Sequence, residues 1–126
     1  MCRFPHYSLT EVQMKILNFF ESYHLHDSLL ENVEIDEAAK TVMLTVDFCF
    51  WQQDNYDSRK PETGIIHILF SDVSQVSFEP YKMNSDEIAT CELLDGNILK
   101  LIVYNDVSET YHSISIRAED VAVEGE

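Results

Sequence analysis

Short segments in which apolar and polar side chains alternate, separated by turn-forming residues, fill most of the chain after Ser28. A period of two places successive side chains on opposite faces of a strand, so each segment predicts a strand with one face in a core. No helical pattern stands between these segments, which excludes the crossover connections that parallel strands need. The chain after Ser28 is therefore expected to form an antiparallel sheet.

Turn residues divide this part of the chain into strands. Asp95-Gly96 is the strongest turn signal, because a two-residue type I′ turn needs positive φ at both positions, and it predicts a hairpin with Leu93 opposite Ile98. A bulge near Ser71 would let one strand continue into the next. The expected strands are 30–35, 41–51, 64–70, 73–78, 98–104 and 111–118, with a short edge strand in the acidic C-terminal segment.

One helix is expected before the sheet. Ser8 and Glu11 have the S-x-x-E spacing of a capping box, in which each side chain accepts a hydrogen bond from the other residue's backbone N–H. Apolar residues then recur at spacings of three and four, which makes one apolar stripe. The stripe consists of Leu9, Val12, Ile16, Phe19, Phe20 and Tyr23. The pattern predicts a helix from Ser8 to about Tyr23.

These elements predict an α+β fold with a single domain over residues 1–126 and an ordered core at about 7–123. The N-terminal amphipathic helix would pack on a mostly antiparallel β-meander, which is either an open sheet or a partly closed barrel. The composition agrees with a folded chain, because 45% of the residues are hydrophobic and only three are Gly and three Pro. Such a chain has enough apolar surface to offset the entropy of ordering.

Charge limits the partners of this chain. It has 8 Lys and Arg against 23 Asp and Glu, a net charge of −15. This field repels phosphate backbones and anionic lipids, so neither nucleic acid nor a membrane is expected as a partner. It attracts basic proteins and cations, and it also keeps a protein in solution. Because no secretory signal or membrane-spanning run is recognisable, the expected location is the cytoplasm.

Several kinds of catalytic site lack support in the sequence. Cys2, Cys49 and Cys91 are far apart and form no C-x-x-C pair, which suits a reducing compartment. Cys49 lies among apolar strand residues, which raise the pKa of a thiol. The three glycines form no P-loop or dinucleotide motif. We therefore expect no catalytic nucleophile and no cofactor.

Residues 24–28, HLHDS, are the candidate for a metal or acid–base site. On a helix His24 and His26 would diverge by about 200°, whereas two metal ligands on one helical face are four positions apart. A histidine near a helix C-terminus is instead favoured by the dipole, and Asp27-Ser28 suits a turn or cap. The helix end is the favoured interpretation, and no metal is expected. A metal site would need a third ligand from among His67, Asp54 and Asp57.

A polar, proline-containing loop follows the long second strand. Trp51 stands at its start, with Asp54, Tyr56 and Asp57 close behind. Aromatic rings beside acids suit the binding of a basic or aromatic side chain of another protein. The alternative is that Trp51 closes the end of the core and Tyr56 covers it. Tyr81 has the same two interpretations, as a partner-binding or a core-covering residue.

Five short segments carry a resemblance to known domains. They are LHDS at 25–28, LLENVEID at 29–36, TVMLTVDF at 41–48, ILFSDV at 68–73 and SISIRAEDVAVE at 113–124. The chain resembles a group of small bacterial domains of mostly unknown function, several of which resemble immunity proteins of polymorphic toxin systems. The resemblance implies a helix on an antiparallel sheet or open barrel and a role in binding, with His26, Asp27 and Ser28 as the signature residues.

Three functional hypotheses follow. The leading one is a non-catalytic protein-interaction module, in the form of an immunity-type inhibitor whose acidic face covers a basic protein or toxin domain. The second is a metal-dependent or small-molecule enzyme that uses His24, His26 and Asp27. The third is a homo-oligomeric structural module, for instance a homodimer, that buries the second apolar face of residues 98–104.

Overall fold

The computed structural model describes residues 11–49, 53 and 63–125. These residues form one helix and nine strands. In chain order the elements are β1 (Glu11–Lys15), α1 (Ile16–Ser22), β2 (Leu29–Asp36), β3 (Thr41–Cys49), β4 (Thr63–Ser71), β5 (Gln75–Phe78), β6 (Asp86–Leu94), β7 (Ile98–Asn105), β8 (Thr110–Arg117) and β9 (Asp120–Gly125).

All nine strands belong to one sheet, and every pairing between them is antiparallel. Their order across the sheet is β1-β9-β4-β3-β2-β6-β7-β8-β5. The predicted α+β fold with a prominent amphipathic helix is therefore wrong. The described residues form a mostly antiparallel β protein in which the one helix has seven residues.

The N-terminal segment accounts for this error. Ser8 lies outside the described residues, and Glu11 begins a strand instead of completing a capping box. β1 pairs along its whole length with β9, and Met14 packs against the core. The alternation of Val12 and Met14 with polar neighbours also fits a strand, so two periods compete in this sequence. Hydrogen bonds to β9, which lies far away in the sequence, stabilise the strand relative to the helix.

α1 retains the second half of the predicted helix. Ile16 and Phe19 are buried, and the Phe19 ring stacks on Tyr23 with 5.1 Å between centroids. The rings of Phe19 and Phe70 also make an edge-to-face contact, with 6.1 Å between their centroids. The helix contacts β1 and β9 as well as β6 and β7, which lie far apart in the strand order. It therefore fills the space between distant parts of the sheet.

The sheet folds over at the boundary between β2 and β6. β2 pairs with β3 from Leu29 to Asp36, but only Leu29 and Leu30 pair with β6. The core-facing residues of β3 and β4 form one hydrophobic cluster with those of β7 and β8. Because a seven-residue helix cannot cover so much apolar surface, the β1-β9-β4-β3-β2 half and the β6-β7-β8-β5 half cover each other.

Two strands have other neighbours than predicted. β5 does not continue β4 after a bulge; the chain turns at Asp72, where φ is 53°, and β5 pairs with β8 in the other half. β9 is not an edge strand but lies between β1 and β4, and Val121 is fully buried. Both differences come from long-range pairing, which the local alternation does not specify.

The β6–β7 hairpin forms at the predicted turn but in a shifted register. Asp95 and Gly96 have φ values of 54° and 79°, as the turn signal predicts. Asn97 adds a third residue to the loop, so Leu93 lies opposite Leu99 rather than opposite the predicted partner. One extra residue changes the pairing of the whole strand.

β3 confirms the clearest alternation in the sequence. Val42, Leu44 and Val46 are fully buried, and the residues between them are half exposed. The last two residues of the predicted strand, Phe50 and Trp51, lie outside the described residues. Within residues 11–49, 53 and 63–125, no helix has the length and apolar character needed to cross a membrane.

Candidate interaction surface

The HLHDS segment forms the junction between α1, which ends at Ser22, and β2. Asp27 has a φ of 70°, its N–H donates to the Ile88 carbonyl at 3.0 Å, and the Ile88 N–H donates to the Ser28 carbonyl at 2.8 Å. The buried Ser28 hydroxyl accepts a hydrogen bond from the Cys49 N–H at 2.9 Å. This segment therefore links β2 to both β3 and β6.

The side chain of Gln53 also forms hydrogen bonds to this junction. Its Oε1 accepts a hydrogen bond from the His24 N–H at 2.9 Å. Its Nε2 donates to the carbonyls of His24 at 3.0 Å and Cys49 at 2.8 Å. Sequence reasoning missed this residue, because a glutamine in a loop without periodicity gives no signal of its contacts.

The ionisable side chains of HLHDS lie near a carboxylate of β6. His26 is exposed, and its Nδ1 lies 3.4 Å from Oδ2 of Asp27, while His24 is half-buried. A hydrogen bond with Asp27, with burial adding to it, raises the pKa of Glu87, and His26 opposes this shift. A pair of carboxyl groups next to an imidazole does not by itself define a reaction.

The further ligands proposed for a metal site do not complete a cluster. Asp54 and Asp57 lie outside the described residues, and His67 lies on β4, where its Nδ1 is 3.3 Å from Oγ1 of Thr45. In the part of the chain that the structure describes, no three His, Cys, Asp or Glu side chains are grouped to hold a metal ion. The metal-free interpretation of HLHDS stays a prediction, because two of the candidates are not described.

The two described thiols are partly or fully removed from solvent. Burial raises the pKa of Cys49, and it raises the pKa of Cys91 to about 12. The Cys49 thiol donates to the Asp27 carbonyl at 3.2 Å. Thiols with raised pKa values are protonated at neutral pH and are therefore weak nucleophiles. Cys2 lies outside the described residues.

Of the predicted partner-binding residues, only Tyr81 is described; Trp51, Asp54, Tyr56 and Asp57 lie outside the described residues. The Tyr81 hydroxyl donates a hydrogen bond to Oδ2 of Asp86. Its ring stacks on His112, with 3.6 Å between centroids. Burial, together with the hydrogen bond to Asp86, raises the pKa of Tyr81 well above its usual value. The hydroxyl is thus engaged within the protein, while the partner-binding interpretation of Tyr81 stays a prediction.

Asp86 and Asn105 form a buried polar pair that sequence reasoning missed. Each is 2% exposed, and Nδ2 of Asn105 donates to Oδ1 of Asp86 at 3.0 Å and to the Lys82 carbonyl at 3.0 Å. Oδ1 of Asn105 accepts a hydrogen bond from the Ser108 N–H at 2.9 Å. The pair joins the segment before β6 to the turn after β7. Because each of its polar side-chain atoms has a partner, its role is structural.

An apolar patch lies on the outer face of β3, β4 and β9. Met43 pairs with Leu69, and Leu69 pairs with Ala122, so the three side chains stand side by side across three strands. Met43 and Leu69 are half-buried, and Ile65 on the same face of β4 is 42% exposed. We call Met43, Ile65, Leu69 and Ala122 the outer patch.

Carboxylates lie next to the outer patch on its β2 side and beside Ile65, and His67 lies between Ile65 and Leu69 on β4. Glu34 of β2 stands opposite Met43, and Asp47 of β3 stands opposite Ile65. An open groove of about 620 Å³ runs between β2 and the patch, and Asp36 at the end of β2 and Glu37 in the following turn also line it. These acids, which we call the acidic rim, are Glu34, Asp36, Glu37, Asp47 and Glu124.

An apolar centre with a charged border is the usual composition of a protein interface. The alternation in β3 predicts a half-exposed face that includes Met43. It does not show that Leu69 and Ala122 lie beside this residue, because strand order is a property of the whole sheet. No known protein family, curated protein or solved structure matches the chain. The resemblance to immunity-type domains therefore stays a prediction.

Proposed function

We propose that the protein is a non-catalytic interaction module that binds a basic protein through the outer patch and the acidic rim. The observation that carries this proposal is the half-buried pair Met43 and Leu69, which lines a groove beside carboxylates on the outer face of the sheet and continues into the 7% exposed Ala122. The net charge of −15 adds a long-range attraction for cationic partners. As an immunity-type inhibitor, the protein would cover the basic active surface of a toxin enzyme.

The two parts of this surface would contribute differently to binding. Desolvation of Leu69 and Ile65 would supply affinity, since a fully buried aliphatic side chain contributes about 1.5–3 kcal/mol. The acidic rim remains partly solvated, so it would mainly raise the association rate and select cationic partners. Rim charges are screened by salt, and association should therefore slow as salt increases.

Affinity capture with two matched variants tests the proposal. The immobilised protein is compared with Leu69→Lys, which places a cation in the outer patch, and with Ile102→Lys, which makes the same charge change on the outer face of β7. We expect the wild type and Ile102→Lys to retain the same basic protein, and Leu69→Lys to bind it at least about tenfold more weakly. The retained protein, if it is an enzyme, should lose its activity when the wild type is added.

Urea denaturation of both variants shows whether either substitution unfolds the chain. Equal retention by Leu69→Lys and Ile102→Lys would remove the outer patch from the proposal. Retention of acidic proteins, or an association rate that does not change with salt, would contradict the role of the acidic rim.

A further inference from the structure

β2 has a backbone edge that no described strand pairs with. Its pairing with β6 stops at Leu30 and Asp86. β2 continues to Asp36, and over this second part its one partner among the described strands is β3. Within residues 32–36, every second residue therefore directs its backbone N–H and C=O groups away from β3, into the space beside β2 that β6 does not occupy.

A recess lies beside this edge on the core side, and a groove begins at β2 on the outer face. On the core side, a recess of about 250 Å³ separates Ile35 from the segment that leads into β5, with Val73 and Val76 in its wall. On the outer face, the groove of about 620 Å³ begins at β2 and extends over β3 and β4, away from this edge, with Met43 and Leu69 in its wall. Because successive side chains of a strand point to opposite faces, a strand added here would direct one set of side chains toward the core-side recess and the other set onto the outer face, beside Glu34 and Asp36.

The residues at the edge define what the added strand must carry. Glu34 and Asp36 are exposed on β2, and Glu37 follows in the turn, so the outer side favours Lys or Arg. The core-side recess contains valine side chains, and Ile35, at its border, is 38% exposed. This side favours small apolar residues.

We propose that residues 32–36 of β2 bind an extended segment of a basic partner as an additional β-strand, with Lys or Arg alternating with small apolar residues. The inference rests on the proposed function, since the acidic rim recruits the partner in both, and it adds pairing between the two backbones. A second copy of the chain does not suit the edge, because two acidic edges would lie against each other.

Synthetic peptides test strand addition directly. The probe is a peptide in which Lys and Val alternate, and its control is the same peptide with every backbone nitrogen methylated, which keeps the side chains but removes the amide donors. Binding is measured by titration, and hydrogen exchange of the amides of residues 32–36 is measured with and without peptide. We expect the alternating peptide to protect amides of this segment. The methylated peptide should bind at least about tenfold more weakly, because two or more hydrogen bonds of about 1 kcal/mol each are lost.

Protein variants locate the binding. Ile35→Lys adds a cation at the edge and should weaken binding of the alternating peptide about tenfold or more. Ile102→Lys, on the outer face of β7, makes the same change and should have no effect. A peptide with all Lys first and all Val after them has the same charge, and it should give weak binding without protection.

Each contrary outcome has a separate meaning. Equal binding of the alternating and methylated peptides, with no amide protection, would overturn strand addition but leave the proposed function standing, because the acidic rim would still bind cations. Protection of residues 32–36 that rises with protein concentration in the absence of peptide would identify a second copy as the occupant and overturn the proposal. Loss of the proposed function itself would show as equal capture by Leu69→Lys and Ile102→Lys.

Discussion

Asp86 is a carboxylate almost without solvent contact, and such a group is costly unless hydrogen bonds replace its water. It accepts hydrogen bonds from the Tyr81 hydroxyl, from Nδ2 of Asn105 at 3.0 Å and from the Asn84 N–H at 3.2 Å. The raised pKa of Tyr81 keeps its hydroxyl protonated at neutral pH, so this donor is always present. The arrangement explains how Tyr81 supports the loop before β6.

Replacement of Asp86 by Ala should destabilise the protein by roughly 2–3 kcal/mol, because Asn105 and Tyr81 would lose their acceptor. The free energy of unfolding, measured in urea, checks this value. Glu92→Ala on the exposed side of the same strand is the control and should change stability by no more than about 0.5 kcal/mol. Similar values for the two variants would show that the buried network contributes little.

At the level of elements, the strands with a clear local pattern could be predicted and the long-range contacts could not. β3 was predictable because β-branched and aliphatic residues recur at every second position, as Val42, Leu44 and Val46, and a strand places all three on one face. The residues before α1 fit both the helical period and the strand period of two. No local feature of the sequence indicates that they pair with β9. The outer patch needs the order β3-β4-β9, so its members could be predicted as half-exposed residues but not as neighbours.

Phe19 tests the role of α1 between the two halves of the sheet. It is fully buried and contacts the rings of Tyr23 and Phe70. Phe19→Ala should lower the free energy of unfolding by roughly 3–5 kcal/mol, since it leaves a cavity between distant strands. Leu17→Ala on the same helix removes a side chain that is 45% exposed and should cost about 1 kcal/mol or less. Equal losses in urea denaturation would mean that the helix is peripheral to the core.

For the whole molecule, the excess of acids has two opposite consequences. Folding brings like charges together, so the net charge of −15 opposes the compact state. In the proposed function, the same charge would attract a basic partner and concentrate it near the acidic rim. Such a binding role would give this composition a function, whereas stability alone would favour fewer acids.

Salt should therefore move stability and binding in opposite directions. Between about 0.01 M and 0.15 M NaCl the Debye length falls from about 30 Å to about 8 Å, which weakens repulsion within the protein and attraction to a cationic ligand alike. We expect the thermal midpoint to rise over this range while binding of the alternating Lys–Val peptide weakens. A variant with Glu34→Gln and Glu37→Gln removes two charges of the acidic rim, so it should be more stable than the wild type at low salt and less sensitive to salt in both measurements. A midpoint that falls with salt, or a double variant with the wild-type salt dependence, would show that these carboxylates are too well solvated to control either property.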